Sequence, residues 1–173
     1  PELRGRVRLC LTCVAPAIGI DVYDDVRADI ERRVGAINGR FATLQWTPVV
    51  LFMQPIPFDE LIAWYRATDI CWITPLRDGL NLVAKEFVVA QAGGPGVLVV
   101  SDFAGCVIEL DEAVHTNPYS TRSMDAAMDR ALDMPRTERI ERSRRMYRRE
   151  SRNSIARWTG EMLERLDLPM RTR

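Results

Sequence analysis

The feature that most constrains the fold is an alternation of short apolar runs with longer segments of helical spacing. The apolar runs predict strands over five ranges: 6–14, 49–53, 70–74, 97–100 and, more weakly, 114–117. The segments of helical spacing predict helices over six ranges: 21–38, 59–67, 81–91, 121–133, 135–150 and 154–166. Strands that alternate with helices of about ten to fifteen residues indicate a parallel sheet covered by helices. We therefore predict an α/β, Rossmann-like domain with helices on both faces of its sheet.

The same pattern makes finer predictions about burial, helix ends and the place of a site. The early strands are almost continuously apolar, as expected for strands buried on both faces. Asp21 is a suitable N-cap for the first helix, and Gly39 can end it. Ligands of open parallel sheets bind outside the carboxyl ends of the strands, so the loop after 70–74 is the first candidate site.

Composition excludes several classes of protein. The 24 basic residues are balanced by 24 acidic ones, which argues against a basic nucleic-acid footprint over the whole domain. The apolar runs are far shorter than the about 20 residues of a membrane span. A single histidine, His115, leaves little room for His-based metal sites or Ser-His-Asp triads. The chain begins with neither Met nor a signal-peptide core, so we expect an interior part of a longer protein.

The remaining conspicuous residues are predicted to be structural. The cysteines lie in segments that we expect to be buried strands, which favours a reduced, cytoplasmic setting; they are Cys10, Cys13, Cys71 and Cys106. Cys10 and Cys13 have no second cysteine pair, so core packing is favoured over zinc or redox chemistry. His115 is predicted to be partly buried, and Trp158 to lie in the core or against another domain. The arginine-rich stretch 130–157 is predicted to be a solvated helix face, with a nucleic-acid or membrane surface as the weaker reading.

The loop 74–86, TPLRDGLNLVAKE, has the chemistry of a ligand site. Gly79 permits a tight turn, and a helix starting near Asn81 exposes backbone N–H groups suited to a phosphate. The Asp78 carboxylate can accept two sugar hydroxyls, and Glu86 lies just over one helical turn beyond Asn81, within reach of a ribose diol. Capping of the helix by Asp78 and Asn81 explains the pattern equally well.

The longer run TPLRDGLNLVAKEFVVAQ resembles the signature of the trehalose-6-phosphate and glucosylglycerol-phosphate synthase glycosyltransferases. Further stretches match in order: INGRF, WTP, PFDELIAWYRATDICWITPLRDG, GVLVVSDFAG and TNPYS. The resemblance implies a GT-B enzyme, in which two Rossmann-like domains face each other across a cleft. Such an enzyme moves glucose from a nucleotide sugar to a phosphorylated acceptor with retention, without metal or cofactor. This chain, 1–173, resembles only the C-terminal donor-binding domain, without its first strand and helix. Helices over about 135–168 are then expected to pack toward the absent N-terminal domain.

The resemblance also implies a role for each of eight residues. Asp78 is expected to bind the glucose hydroxyls, Glu86 the ribose, and Ile56 to lie near the base. Backbone groups are expected to contact the glucose at Gly79, Leu80 and Asn81, and the diphosphate at Leu82 and Val83. Lys85 belongs to the signature, and we expect it to form a structural ion pair.

Two features indicate the branch of the family and the state of the chain. The segment 15–23, APAIGIDVY, lacks an arginine that trehalose enzymes carry, which, with Leu80, favours ADP-glucose and glycerol 3-phosphate as substrates. UDP-glucose with glucose 6-phosphate is the alternative.

In the family, the cations that neutralise the diphosphate and the acceptor-binding residues precede this chain. We therefore expect no catalytic residue in it and little or no activity. A catalytically silent binding module is a second alternative, and an arginine-rich nucleic-acid-binding domain a weaker third. A missing strand and helix would also make the isolated chain marginally stable or prone to self-association.

Overall fold

The computed structural model describes residues 3–14, 21–153 and 155–166, and confirms each predicted strand and helix with small differences at the ends. The strands are β1 (Leu9–Thr12), β2 (Val49–Phe52), β3 (Ile70–Ile73), β4 (Val97–Ser101) and β5 (Val114–Thr116). The helices are α1 (Asp21–Phe41), α2 (Phe58–Ala67), α3 (Leu82–Gln91), α4 (Thr121–Asp133), α5 (Arg136–Arg152) and α6 (Ile155–Leu166). A 3-10 helix, Gly105–Ile108, lies between β4 and β5. Residues 15–20, 154 and 167–168, which figure in the predictions, lie outside the described ranges.

The chain divides into two compact units, unit 1 (Pro1–Pro57) and unit 2 (Phe58–Arg173). Each unit has its own parallel sheet: β1 pairs with β2, and β3, β4 and β5 pair in that order. The parallel α/β architecture is thus confirmed. That the whole chain acts as one domain stays a prediction.

In unit 1, the predicted end of the first helix is wrong. Helix α1 continues through Gly39 to Phe41. The side chain of Asn38 accepts from the N–H of Val49 at 3.1 Å and donates to its carbonyl at 2.9 Å, which ties this last turn to β2. A glycine inside a helix costs only about 1 kcal/mol relative to alanine, so such a tertiary contact can carry the helix past it. The predicted cap, Asp21, is the first residue of the helix.

The predicted burial of β1 on both faces is also wrong. Most of this strand is exposed, Cys10 included, and Cys13 is only partly buried. The described part of unit 1 has two strands and one helix, which is too little structure to enclose both faces of a sheet. Core packing therefore does not account for Cys10.

In unit 2, the central strand β4 is buried along its whole length, and helices cover both faces of its sheet, as predicted. Successive side chains of a strand point to opposite faces. Accordingly, Leu98 and Val100 pack with residues of α2, α3 and α5, whereas Val97 and Val99 pack with residues of α4. The carboxyl ends of β3, β4 and β5 therefore lie along one edge of the sheet.

The two last helices differ in how they pack. Helix α5 packs on α3, and several of its arginines form ion pairs: Arg142 with Glu138 at 2.8 Å, for example, and Arg149 with Asp111 at 2.6 Å. The prediction of a solvated, charge-balanced face is confirmed. Helix α6 has no buried residue, and Trp158 is 59% exposed. The prediction that Trp158 lies in the core is therefore wrong, because no described residue covers the apolar face of α6.

Two further predictions concern the histidine and the membrane. The side chain of His115 is partly buried, as predicted, with 35% of its surface exposed; its ring nitrogens lie 3.4 Å from the carbonyl oxygen of Leu110 and 3.5 Å from the Asp102 carboxylate. In the described ranges, no helix is both long enough and apolar enough to cross a bilayer.

We expect the variant Ala92→Gly to be more stable than the wild type. Ala92 ends α3 with φ of 47°, in the left-handed region, where a Cβ is unfavourable. Removing this Cβ should raise the free energy of unfolding by about 0.5 to 1 kcal/mol, after the greater freedom of glycine in the unfolded chain is counted. Urea denaturation measures the change. The control is Ala126→Gly, at an exposed position inside α4, which should lose about 0.5 to 1 kcal/mol. Equal destabilisation of both variants would contradict the prediction.

Candidate functional site

The loops that follow β3, β4 and β5 meet at the carboxyl edge of the sheet of unit 2 and line an open groove. Its walls come from 76–79, 102–105, 107–108 and Tyr119. The Tyr119 hydroxyl donates to the carbonyl oxygen of Leu76 at 3.2 Å, and the rings of Tyr119 and Phe103 pack edge to face at 5.3 Å. The loop that the sequence singled out thus lies where a parallel sheet binds its ligands.

The backbone of Asp78 is fastened to the loop after β4. Its N–H donates to the carbonyl of Phe103 at 3.1 Å, and its carbonyl accepts from the N–H of Gly105 at 2.9 Å. A Cβ at position 105 would overlap the carbonyl of Gly79. Gly105 is therefore required for this close approach of two backbones.

The Asp78 carboxylate is engaged by its own loop. Its Oδ1 accepts from the N–H groups of Leu80 and Asn81 at 2.9 and 3.0 Å, and its Oδ2 accepts from the Asn81 amide at 2.9 Å. The bonds from the Leu80 N–H and the Asn81 side chain hold the pKa of Asp78 below its usual range. These contacts favour the capping interpretation of Asp78, and its binding of sugar hydroxyls stays a prediction.

Asn81 is the N-cap of α3, which likewise favours the capping interpretation. Its Oδ1 accepts from the N–H of Ala84 at 2.9 Å. Its φ of 64° is left-handed, a conformation that asparagine tolerates better than most residues. The next two N–H groups, of Leu82 and Val83, have no acceptor in the described part of the chain. The start of α3 is therefore suited to an anion.

Glu86 follows on the same helix and is oriented by a residue that the sequence analysis missed. Its Oε2 accepts from the hydroxyl of Tyr65, on α2, at 3.3 Å. Burial first, and then the charge of Glu86, raise the pKa of Tyr65 far above its usual range, so the phenol stays protonated and donates. The signal was a tyrosine on the same face of the predicted helix 59–67 as Leu61 and Ile62.

The prediction that Lys85 forms a structural ion pair is confirmed. Its Nζ contacts Glu109, and lies 3.2 and 3.3 Å from the two carboxylate oxygens of Glu150 on α5. Burial opposes the charged form of Lys85, but its bonds to Glu109 and Glu150 outweigh burial and raise its pKa. Lys85 is thus held by two carboxylates of its own unit, away from any role as a free cation.

The remaining residue predicted for the donor site is Ile56, and two other kinds of site concern the cysteines and metals. Ile56 belongs to unit 1, where it follows β2 along the chain and is half-buried, and its position beside a base stays a prediction. Burial raises the pKa of the Cys71 thiol to about 12, so this cysteine is an unreactive core group. Within the described ranges, no three His, Cys, Asp or Glu side chains cluster as a metal site would require.

Comparison with known proteins gives one family and two kinds of relative. The family model described as glycosyltransferase family 20 matches residues 1–167. The glucosylglycerol-phosphate synthase of Synechocystis sp. is 50% identical over 163 residues, which are 94% of this chain and 33% of the relative. The trehalose-6-phosphate synthase of Salmonella arizonae is 43% identical over 169 residues, which are 96% of this chain and 35% of the relative.

A solved structure adds a likeness of fold. It is described as trehalose-6-phosphate from E. coli bound with UDP-2-fluoro glucose, and it superposes with a TM-score of 0.92 at 38% identity. The match covers 98% of this chain and 38% of that one. The chain therefore spans about a third of the length of the curated relatives that it matches.

We expect Asp78→Asn to destabilise the chain in a pH-dependent way. An amide has one acceptor oxygen and cannot satisfy all three donors that the carboxylate binds. The variant should lose about 1 kcal/mol of unfolding free energy at pH 7. This is the low end of the range for an unsatisfied polar group, because Asp78 is partly exposed. The pKa of Asp78 is lower in the folded chain than in the unfolded one, where it is about 3.9. The carboxylate therefore stabilises the fold fully above the unfolded pKa, and this stabilisation is lost as the pH falls through the folded pKa.

The test of this prediction is urea unfolding of wild type and variant at pH 7 and pH 3. The difference in stability should shrink at the lower pH. The control is Asp125→Asn, at an exposed position on α4. A difference for Asp78→Asn that is the same at both pH values would contradict the prediction.

Proposed function

Because the chain belongs to glycosyltransferase family 20, we propose that it carries the nucleotide-sugar donor site of a retaining glucosyltransferase. The observation that carries the proposal is the arrangement along α3. Its first N–H groups, at Leu82 and Val83, are free for a diphosphate. Glu86 lies one helical turn further on, with Oε2 bound to Tyr65 and no protein donor for Oε1 in the described ranges. One helix thus offers an anion site and a diol-binding carboxylate in sequence.

The glucose is proposed to lie over the turn that precedes α3. Backbone groups of Gly79, Leu80 and Asn81 contact it there, and the Asp78 carboxylate holds this turn in shape. The carboxylate has room to accept a sugar hydroxyl besides its three protein donors, because its two oxygens offer about four lone-pair positions. Ile56 is proposed to lie beside the base of the nucleotide.

For the substrates, we favour ADP-glucose as donor and glycerol 3-phosphate as acceptor. The Synechocystis relative, named glucosylglycerol-phosphate synthase, shares more identity with the chain than the Salmonella relative does. Leu80 and the arginine-free segment 15–23 support the same branch. The product would be a phosphorylated glucosylglycerol, made in the cytoplasm as a compatible solute.

The alternative is a trehalose-6-phosphate synthase that uses UDP-glucose and glucose 6-phosphate. The likeness in fold to a structure that contains UDP-2-fluoro glucose supports it. The two alternatives differ in the base of the donor, so the preferred nucleotide distinguishes them.

The test of donor binding is ligand-observed NMR on the chain with ADP-glucose and UDP-glucose. We expect binding by the wild type, with ADP-glucose preferred, and its loss in Glu86→Ala. The matched control is Glu60→Ala, an exposed carboxylate on α2, which should bind like the wild type. A folded wild-type chain that binds neither nucleotide sugar would contradict the proposal, as would a Glu86→Ala variant that binds normally.

We also expect the chain by itself to give no turnover. The leaving diphosphate gathers charge in the transition state, and stabilising it requires positioned cations. Lys85 is occupied by Glu109 and Glu150, so it is not free to serve. The assay is release of ADP or UDP from the nucleotide sugar in the presence of glycerol 3-phosphate or glucose 6-phosphate. Turnover well above background by the 173-residue chain would contradict this prediction.

A further inference from the structure

The hydroxyl of Tyr65, a buried residue on α2, donates to the carboxylate of Glu86 on α3. We propose that Tyr65 is a positioning residue for ribose recognition. The inference rests on the proposed function, in which Glu86 binds the ribose diol. Tyr65 does not touch the nucleotide in this proposal. It acts by fixing one oxygen of Glu86 so that the other faces the ligand.

Tyr65 is itself fixed at three points by α3. Its hydroxyl donates to Glu86 Oε2 at 3.3 Å. Its ring packs edge to face against Phe87, with centroids 6.2 Å apart. Its carbonyl accepts from Nε2 of Gln91 at 2.7 Å. With 7% of its surface exposed, the tyrosine has no room to turn its hydroxyl away from Glu86.

Gln91 also forms hydrogen bonds to the backbone just after α2 and just before β4. Its Nε2 also donates to the carbonyl of Thr68 at 3.2 Å, and its Oε1 accepts from the N–H of Gly96 at 3.1 Å. A Cβ at position 96 would overlap the Gln91 amide, so the glycine there lets Gln91 keep these hydrogen bonds. The phenol is thus carried by a rigid junction of two helices and a strand, which is what positioning to within a fraction of an ångström requires.

The chemistry of the pair assigns distinct tasks to the two carboxylate oxygens. The phenol keeps its proton at neutral pH, so it donates to Oε2 and does not compete as an acceptor. Oε1 has no donor in the described part of the chain and is free to accept a ribose hydroxyl. A glutamate without the phenol would sample several rotamers, and a ligand would then have to order it at a cost in affinity.

The experiment is a double-mutant cycle read out by nucleotide binding. Titration calorimetry measures the affinity of the chain for ADP and UDP, each compared with its 2′,3′-dideoxy form. The variants are Tyr65→Phe, Glu86→Gln and the double variant. The phenylalanine keeps the ring that packs on Phe87 and removes only the hydroxyl. A control variant, Tyr147→Phe, removes a hydroxyl from another tyrosine packed on the same core.

We expect Tyr65→Phe to weaken binding of the ribose nucleotides by about three- to tenfold, from the loss of one hydrogen bond to a charged group. Binding of the dideoxy nucleotides should not change. In the Glu86→Gln background, Tyr65→Phe should have little further effect, because the group that it positions is gone. Tyr147→Phe should match the wild type for every nucleotide.

The outcomes separate the inference from the proposed function. If the wild type binds and prefers ribose, but Tyr65→Phe leaves this preference unchanged or weakens all nucleotides equally, the positioning role is overturned and the proposed function stands. If the wild type does not distinguish ribose from dideoxyribose, or Glu86→Gln leaves that preference intact, the proposed role of Glu86 fails. An absence of nucleotide binding by the folded chain overturns both.

Discussion

Burial of β4 on both faces is the constraint on which the rest of unit 2 depends. The strand lies between β3 and β5, and all five of its residues are buried. Its alternate side chains enter two separate apolar layers, one with α2, α3 and α5 and the other with α4. Moving the strand by one residue would exchange the two layers, so the register is strongly determined. With the register set, the carboxyl ends of three strands lie at one edge, and their loops meet there.

Helix α3 carries several of the residues proposed to bind the donor, and other positions on it attach it to the rest of the unit. Its N-cap, Asn81, shapes the turn that holds Asp78, and its first N–H groups are left free. Lys85 joins it to α5 through Glu150, while Gln91 joins it to α2 and to the start of β4. Glu86 lies between these two attachment points. The carboxylate proposed to bind the ligand is therefore on one of the most constrained elements of the unit.

The prediction succeeded where local pattern and tertiary structure agree. The alternation of apolar and helical segments predicted every described strand and α-helix, though not the 3-10 helix, and the loop after β3 is one of the walls of the groove. The wrong predictions share a cause, which is tertiary packing that a local pattern does not show. Gly39 does not end its helix, because Asn38 ties that turn to β2. Cys10 and Trp158 are exposed, because an apolar pattern shows which face seeks burial but not whether anything covers it.

The sequence by itself determined the element order, the parallel α/β class, and which loop and helix carry the candidate site. These follow from periodicities and turn residues that act over a few positions, and from a long uninterrupted family signature. Only the tertiary structure decided what Lys85 and Glu86 contact, and which distant loop holds the backbone of Asp78. The partners of Lys85 lie 24 and 65 residues away, and Tyr65 lies 21 residues from Glu86. Contacts over such separations arise when β4 is buried and the helices pack around it, and no local pattern records them.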